Sequence, residues 1–333
     1  MAVTIHDIAK ELNLSAMTVS RVLSRPDNDI VSPATRERVT QAALRMGYRP
    51  NRNARALASG RTRVIGLWIS HLNSSVYARI ADACRKAVQG SGLEISISEM
   101  DWHFGPENSQ RRYEWPVDGI LVVDPPVTSM ISSILGPVTW QDTPRVHLGS
   151  GQNVPWSQDY VWVDLEDGTK TAIEHLLRVG RRRIAYVVPQ GLAEPGMSHY
   201  DGYNAVLKAA GLKPETIICE QWDGATVRQT VRDYIEKHGH PDGIYCHHDE
   251  LTIATYRALR DLKLDIPRDV ALIGCEGNEF LEYFDPSLST VALPIAEMCQ
   301  TAWKLLQQRL AEPERAPQGI TLPYEFLARE SST

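Results

Sequence analysis

Residues 4–23, TIHDIAKELNLSAMTVSRVL, constrain the fold more than any other stretch of the chain. Apolar residues recur at helical spacing in its first half, where Thr4 and Asp7 form the pattern of an N-cap and its N3 partner. Asn13 then turns the chain, and Ser15 can cap a second helix. Two short helices joined by a tight turn are typical of a helix–turn–helix, whose second helix enters the DNA major groove. The segment therefore predicts a DNA-binding head.

A third helix completes this head. Ser32 followed by Pro33 is a helix-entry pattern. We expect the helix to end near Met46, because Gly47 follows it. A three-helix head is then complete by residue 48.

The next segment, 49–63, is basic and has good helix propensity but almost no apolar face. So short a helix is unstable alone, because nucleation costs more than a few turns return. The segment is either a flexible basic linker or a hinge helix that folds on DNA.

Charge is divided unevenly between the head and the rest of the chain. Residues 1–63 contain 11 Lys and Arg against 5 Asp and Glu, whereas the remainder contains 24 against 36. The formal net charge of the whole chain is −6. A basic head on an acidic body indicates that the head meets phosphates and the body does not.

Composition argues against several other classes of protein. No apolar run approaches the roughly 20 residues of a membrane helix, and the N-terminus has no secretory pattern, so we expect a cytoplasmic protein without a membrane partner. The five cysteines are scattered and lack a C-x-x-C pair, which favours reduced core thiols. We find no G-x-S-x-G, Walker loop or H-E-x-x-H, and expect neither an enzyme nor a cofactor.

The body alternates short apolar strands with helices, which indicates parallel sheets covered on both faces. The predicted strands are 64–70, 93–100, 118–123, 145–148, 183–188, 216–219, 243–246 and 270–274. The predicted helices between them are 77–89, 168–179, 200–210, 226–237 and 251–262.

The chain resembles the LacI/GalR (lactose/galactose repressor) family of bacterial transcriptional regulators over nearly its whole length. The resemblance rests on the head, on VSPATRERV, GYRPNRNARALASGRT and VIGLWIS, and on DLEDGTKTAIEHLLRVGRRRIAYV, HHDELTIATYRALRDLKLDIPRDVALIGCEG and DPSLSTVALPIAEM. Only residues 101–116 look shorter and more aromatic than the family norm.

The resemblance implies a multidomain fold: an all-α three-helix helix–turn–helix head plus hinge helix, then an α/β, periplasmic-binding-protein-like body of two parallel-sheet subdomains. The implied divisions are the head 1–48, the hinge 49–63, a first subdomain 64–163 plus about 292–319, and a second subdomain 164–291 plus about 320–333.

The resemblance also implies a function. We expect a homodimeric regulator, by default a repressor, that binds double-stranded DNA at a near-palindromic operator. A small-molecule effector between the subdomains, a carbohydrate by expectation, would control operator affinity. A nucleoside, a phosphorylated sugar or another non-sugar effector is the alternative, and a sugar-binding protein or an enzyme without a regulatory role is the rival class.

Base reading is expected from the second helix of the head, and phosphate contacts from polar residues around it. By resemblance, Leu57 is the apolar wedge that enters the minor groove and kinks the operator. The predicted DNA-binding residues are Thr4, Ser15, Ala16, Met17, Thr18, Ser20, Arg21, Asn28, Asn51, Arg55 and Leu57.

Effector contacts are expected where the body strands end, because ligands of open α/β sheets bind beyond the carboxyl ends of strands. The predicted effector-binding residues are His71, Ser75, Tyr77, His199, Trp222, His248, Asp249 and Glu276. His199 stands where the family often has arginine, and Glu276 where it usually has aspartate. The run 247–250, HHDE, resembles a metal cluster, but neighbouring residues on a strand end point in opposite directions, so we predict no metal.

Overall fold

The chain divides into two compact units, Met1–Thr62 and Arg63–Thr333. The structure is a computed structural model that describes residues 3–24, 30–49, 56–57, 59–70, 72, 74–99, 117–124, 143–150 and 158–333. Four predicted site residues lie outside the described residues: Asn28, Asn51, Arg55 and His71. The aromatic segment 101–116 lies outside them as well.

Three helices lie in residues 3–24 and 30–49 of the first unit, which we call the head. They are α1 (Ile5–Leu12), α2 (Ala16–Ser24) and α3 (Pro33–Arg45). The predicted capping box is confirmed, since the Asp7 amide donates to Thr4 Oγ1 and the Thr4 amide donates to the Asp7 carboxylate at 2.8 Å. Asn13 ends α1 in the left-handed conformation, which asparagine adopts more readily than most residues.

The core of the head takes one fully buried aliphatic residue from each helix: Ile8, Val19 and Val39. Each such side chain contributes about 1.5–3 kcal/mol through burial. Helices this short are marginal alone, so their packing on one another stabilises the head.

The second unit, which we call the body, has two lobes. The strands of the first lobe are β1 (Val64–Ile69), β2 (Glu94–Glu99), β3 (Gly119–Val123), β4 (Arg145–Gly149), β5 (Asp159–Val163) and β11 (Gly319–Leu322). They form one parallel sheet in the order β11-β5-β4-β3-β1-β2. The helices α4 (Ser75–Val88) and α9 (Ile295–Ala311) pack on one another beside this sheet.

The second lobe repeats the architecture. Its strands are β6 (Ile184–Pro189), β7 (Glu215–Cys219), β8 (Gly243–Cys246), β9 (Ala271–Glu276), β10 (Ser289–Ala292) and β12 (Glu325–Leu327). The sheet order is β12-β10-β9-β8-β6-β7, parallel except for β12, which pairs antiparallel with β10. The helices are α5 (Leu165–Arg178), α6 (Ser198–Ala209), α7 (Gly224–His238) and α8 (Asp249–Asp261), with short 3-10 turns at Glu279–Tyr283 and Glu330–Ser332.

The chain returns to the second lobe later than the sequence prediction placed it. The tail from about residue 320 was assigned to the second subdomain, but β11 pairs with β5 in the first sheet. Asp159 fixes this pairing, because its carboxylate accepts from the Gln318 amide at 2.8 Å and from Arg309 at 2.9 Å. The return therefore follows Leu322.

The predicted state of the cysteines is confirmed, since all five are buried and unpaired. Within the described ranges, no helix is both long and apolar enough to cross a bilayer.

Candidate functional site

The outer side of α2 presents the predicted base-reading residues to solvent. Met17 is 65% exposed and Arg21 is exposed, whereas Val19 and Val22 are buried in the core of the head. Met17 and Arg21 are four residues apart, so both side chains lie on one face of the helix. Three further predicted contacts of α2 are half-buried: Ala16, Thr18 and Ser20.

The two predicted phosphate-contacting hydroxyls at the helix starts are engaged in capping. The Thr18 amide donates to Ser15 Oγ at 3.1 Å, and Thr4 Oγ1 donates to the Asp7 carboxylate at 2.8 Å. These hydrogen bonds stabilise the first turns of α1 and α2. A phosphate that contacts either hydroxyl would have to share it with the cap.

Leu57, the predicted wedge, lies in a helical turn and is 87% exposed. So large an apolar surface in water is costly, at about 25 cal/mol per Å². The Leu57 side chain is therefore accessible to a partner, as the predicted role requires.

The second candidate site is a cleft between the lobes of the body. A cavity of about 500 Å³ opens there, at the carboxyl ends of strands from both sheets. Its lining residues are Ser74, Tyr77, Glu99, Leu192, Trp222, Asp223, His247, His248, Glu250 and Glu276. A smaller cavity of about 240 Å³ adjoins it and shares Tyr77, Leu192, His247 and Glu276 with it.

The cleft brings together most of the described residues that the sequence predicted there. Tyr77, Trp222, His248 and Glu276 line the larger cavity. His199 lines the smaller one, together with Asp124 and Ser150.

Ser75 and Asp249 were predicted to contact an effector, but neither belongs to the lining residues. Ser75 begins α4, and its amide donates to the Glu250 carboxylate at 2.8 Å, across the cleft. Asp249 is 1% exposed, and its carboxylate accepts from the Asn278 amide at 2.8 Å. Helix geometry accounts for the difference, since the neighbouring residues Ser74 and Glu250 face the cavity instead.

Arg79 joins the lobes on the same side of the cleft. Its guanidinium donates to the carbonyl oxygens of Glu276 at 3.2 Å and Gly277 at 2.9 Å, and lies 3.9 Å from the Asp249 carboxylate. Glu276 has a φ of +94°, a conformation that non-glycine residues rarely adopt. The arginine of the first lobe therefore holds a strained turn of the second.

The carboxyl groups around the cleft titrate far from their ordinary ranges. Burial raises the pKa of Asp124 to about 6 and the pKa of Asp249 to about 7, against hydrogen bonds from backbone amides. Burial, with the nearby Asp249 and Glu250 charges, raises the pKa of Glu276 well above its usual range. Burial opposes ionisation of Glu250 too, but hydrogen bonds from His248 and Ser75 outweigh it and lower its pKa to about 2.

Two histidines of the cleft are uncharged near neutral pH because they are buried. The pKa of His199 falls to about 3, and the pKa of His247 lies well below its usual range. Their rings are 4.2 Å apart, and the Tyr186 hydroxyl lies 2.5 Å from His247 Nδ1. His199 Nδ1 lies 2.9 Å from the Tyr245 hydroxyl and 3.1 Å from the Thr169 hydroxyl. Hydrogen bonds to buried hydroxyl groups therefore hold the orientation of both rings.

Several residues of the cleft were not predicted, although they too lie at the carboxyl ends of strands. Glu99, Asp124 and Ser150 end or follow the strands β2, β3 and β4, where ligand contacts were expected. His247 and Glu250 were weighed only as metal ligands. In the described part of the chain, no group of three or more His, Cys, Asp or Glu residues is arranged to hold a metal ion.

The fold and the two sites define the class of protein: a helix–turn–helix head on a two-lobed body with a polar cleft. A family model described as "Bacterial regulatory proteins, lacI family" matches residues 4–51, and one described as "Periplasmic binding protein-like domain" matches residues 173–332. The chain therefore combines a LacI-family helix–turn–helix domain with a periplasmic-binding-protein-like domain, and it is similar to LacI-family transcriptional regulators.

Relatives of known name match the chain from end to end. The transcriptional regulator RegA of Clostridium saccharobutylicum is 27% identical over 340 residues and covers 100% of both chains. The transcriptional regulator CelR of Thermobifida fusca is 29% identical over 346 residues and covers 98% of both chains.

Solved structures show the same fold. The Lac repressor dimer bound to operator and the anti-inducer ONPF matches with a TM-score of 0.80 at 22% identity, covering 100% of this chain and 99% of that one. A complex of the regulator CelR with cellobiose matches with a TM-score of 0.65 at 24% identity, covering 99% of each chain.

Proposed function

We propose that this regulator is a repressor whose affinity for its operator is set by a small molecule, a carbohydrate, bound between the lobes of the body. One observation carries the proposal: the chain joins a head with a solvent-facing α2 to a body whose two lobes together line a polar cavity of about 500 Å³. A ligand that contacts both lobes binds their arrangements unequally, and can therefore shift an equilibrium between them.

On DNA, α2 would lie in the major groove. Arg21 can donate to guanine or to a phosphate, whereas Met17 and Ala16 offer only apolar contact, for example to a thymine methyl group. The predicted polar contacts, Thr4, Ser15, Thr18, Ser20, Asn28, Asn51 and Arg55, would set the register on the phosphates. Leu57 would enter the minor groove at the centre of the site.

Two heads side by side require a dimer with two-fold symmetry, and hence a near-palindromic operator. Exposed apolar side chains of the body are candidates for the contact between copies. Ile97 on the edge strand β2 is 46% exposed, and Phe280 and Tyr283 in the 3-10 turn after β9 are 61% and 80% exposed. Each copy would present the same patch to the other.

The effector class rests on the chemistry of the cleft. The half-exposed Trp222 offers an aromatic face to the C–H groups of a sugar ring, and the carboxylates around it accept hydrogen bonds from hydroxyl groups. The structure of CelR with cellobiose supports a carbohydrate, because that relative shares the fold.

The experiment is selection of bound duplexes from a random DNA library, followed by affinity measurements at several salt concentrations. We expect an inverted repeat to be enriched and bound at least about a thousandfold more tightly than random DNA, with affinity falling steeply as salt rises. Arg21→Ala should lose specific binding. Arg178→Ala, which removes the same charge from an exposed site in the body, should retain it.

Enrichment of no inverted repeat, or equal affinity for selected and random duplexes, would contradict the proposal.

A further inference from the structure

The described walls of the cleft are rich in carboxylates. Glu99, Asp223, Glu250 and Glu276 line the larger cavity, and Asp124 lines the smaller one. Among the described residues that line the two cavities, none is Lys or Arg. The ligand therefore faces many oxygen atoms, and it faces the negative charges of Asp223 and Glu250, whose pKa values are lowered by the hydrogen bonds that they accept.

Arg79 lies beside the cleft but is already engaged. Its terminal nitrogens donate to the carbonyl oxygens of Glu276 and Gly277, and it lies 3.9 Å from Asp249, which is itself outside the lining. The buried rings of His199 and His247 are neutral near pH 7, since burial holds the pKa of each far below its usual range.

A second observation points to a polar ligand in the cleft. His248 lines the cavity and is 8% exposed, and its Nε2 has no hydrogen-bond partner within the described ranges. Its Nδ1 lies 3.1 Å from the Glu250 carboxylate and 3.4 Å from the Leu251 amide. Both contacts are made by Nδ1, so the buried Nε2 is left to bind a polar atom of the ligand.

The aromatic surface of the cleft fits a ligand that has both a sugar ring and a positive charge. Trp222 is 44% exposed, and its ring centroid lies 5.7 Å from that of His248. An indole face attracts a cation as well as the C–H face of a sugar. A protonated amine held between this face and the carboxylates would supply three donors and one positive charge.

Resting on the proposed function, we propose that the effector is a polyhydroxy compound with a protonated amine, an amino sugar, and that the cleft prefers it to the neutral and phosphorylated compounds of the same configuration. A neutral sugar can satisfy the acceptors but leaves the charge uncompensated. A phosphate group would meet like charges with no described cation in the lining to bind it.

Calorimetry on the full chain tests this with matched series of ligands. One series is D-glucosamine, D-glucose and D-glucose 6-phosphate; others have the galacto and manno configurations, and a disaccharide pair is the β-1,4-linked glucosamine dimer with cellobiose. In at least one series, we expect the amine to bind about tenfold or more tightly than the neutral sugar, and the phosphorylated sugar not to bind. The preference should weaken from about 50 to about 500 mM salt.

Two nearly isosteric variants assign the preference to the cleft carboxylates. Asp223→Asn and Glu250→Gln should each bring the amine and the neutral sugar to within about threefold of one another, because only the charge is removed. Asparagine caps a helix about as well as aspartate, so α7, which Asp223 caps, should be preserved. Glu174→Gln, on an exposed position of α5, should preserve the preference.

The inference is overturned if a neutral or phosphorylated sugar binds as well as its amine, if no amine in any series binds, or if the two variants keep the preference. Binding of the selected operator is measured on the same protein preparations. Retained operator binding without the amine preference contradicts only this inference, whereas lost operator binding contradicts the proposed function.

Discussion

Asp124, which lines the smaller cavity, shows how its neighbours determine the conformation and the pKa of a single residue. Its Oδ1 accepts from the Ser150 amide at 3.1 Å, and its carboxylate packs so closely on Gly149 that an added Cβ there would overlap it. Its φ is +43°, in the left-handed region that asparagine also tolerates. Burial raises its pKa from 3.8 to about 6, so the charged form is the costly one.

The pKa of Asp124 predicts the direction of a pH effect on stability. The folded protein binds this proton more tightly than the unfolded chain does, so the carboxyl group destabilises the fold increasingly as pH rises from about 4 to about 6. At about pH 8, the free energy of unfolding of Asp124→Asn in urea should therefore exceed that of the wild type by on the order of 2–3 kcal/mol. Below about pH 4, the two proteins should be equally stable. Asp233→Asn, at an exposed position, should show no such difference. A pH-independent effect of Asp124→Asn would count against this explanation.

Leu57 supports a prediction about DNA at the same scale. If its side chain enters the minor groove, Leu57→Ala should weaken operator binding by about tenfold or more, which is about 1.4 kcal/mol. Leu44→Ala is the matched control, because Leu44 on α3 is 77% exposed and has no proposed contact with DNA. Fluorescence anisotropy at fixed salt measures both, and equal affinities for the two variants would exclude the wedge.

Among the elements, the segment that joins α9 to β11 depends on one buried ion pair. Arg309 is 14% exposed in its side chain and Asp159 is fully buried, with 2.9 Å between them. Arg309 also donates to the carbonyl oxygens of Pro313, Arg315 and Ala316, so one side chain holds the whole turn.

Arg309→Met should destabilise the body by about 3–5 kcal/mol, because it leaves the Asp159 carboxylate buried and unpaired. Arg268→Met should cost much less stability than Arg309→Met, since Arg268 is 76% exposed and its ion pairs with Asp265 and Asp269 lie at the surface. Urea denaturation of the full chain measures both variants. Similar losses of stability for the two would show that burial does not set the strength of the Arg309 pair.

The elements also show what the sequence could and could not predict. Long periodic segments such as Gly224–His238, predicted as 226–237, were found to within two residues at each end, and the caps at Thr4, Ser15 and Ser32 were predicted from residue type. The strands β5, β10, β11 and β12 were missed. Their pairing depends on partners far along the chain, which local sequence does not specify.

At the scale of the whole molecule, the cleft combines residues that are distant in sequence, and the sequence predicted only part of it. Tyr77, Trp222, His248 and Glu276 were found because they follow strands. The cross-lobe contacts of Arg79 and Glu250 could not be predicted, since they depend on how the two lobes face one another.

These contacts predict how the lobes are held together. Arg79→Met removes two charge-assisted hydrogen bonds, each contributing about 1.5–3 kcal/mol when made. We expect faster hydrogen exchange at the Ser75 amide, which donates to Glu250 across the cleft. Arg85→Met is the control on the same helix, because Arg85 is 61% exposed and pairs only locally with Asp82. Unchanged exchange in Arg79→Met would show that Arg79 does not hold the lobes.

The coupling between cleft and head is tested most directly by the dissociation constant of the selected operator, measured with and without a saturating ligand of the cleft. Typical coupling energies of about 1–3 kcal/mol predict a change of roughly 5- to 150-fold, in either direction. Trp222→Ala, which removes the aromatic surface that would bind the ligand, should abolish the change but leave operator affinity without ligand intact. An operator affinity that stays constant while the ligand saturates the cleft would contradict the account.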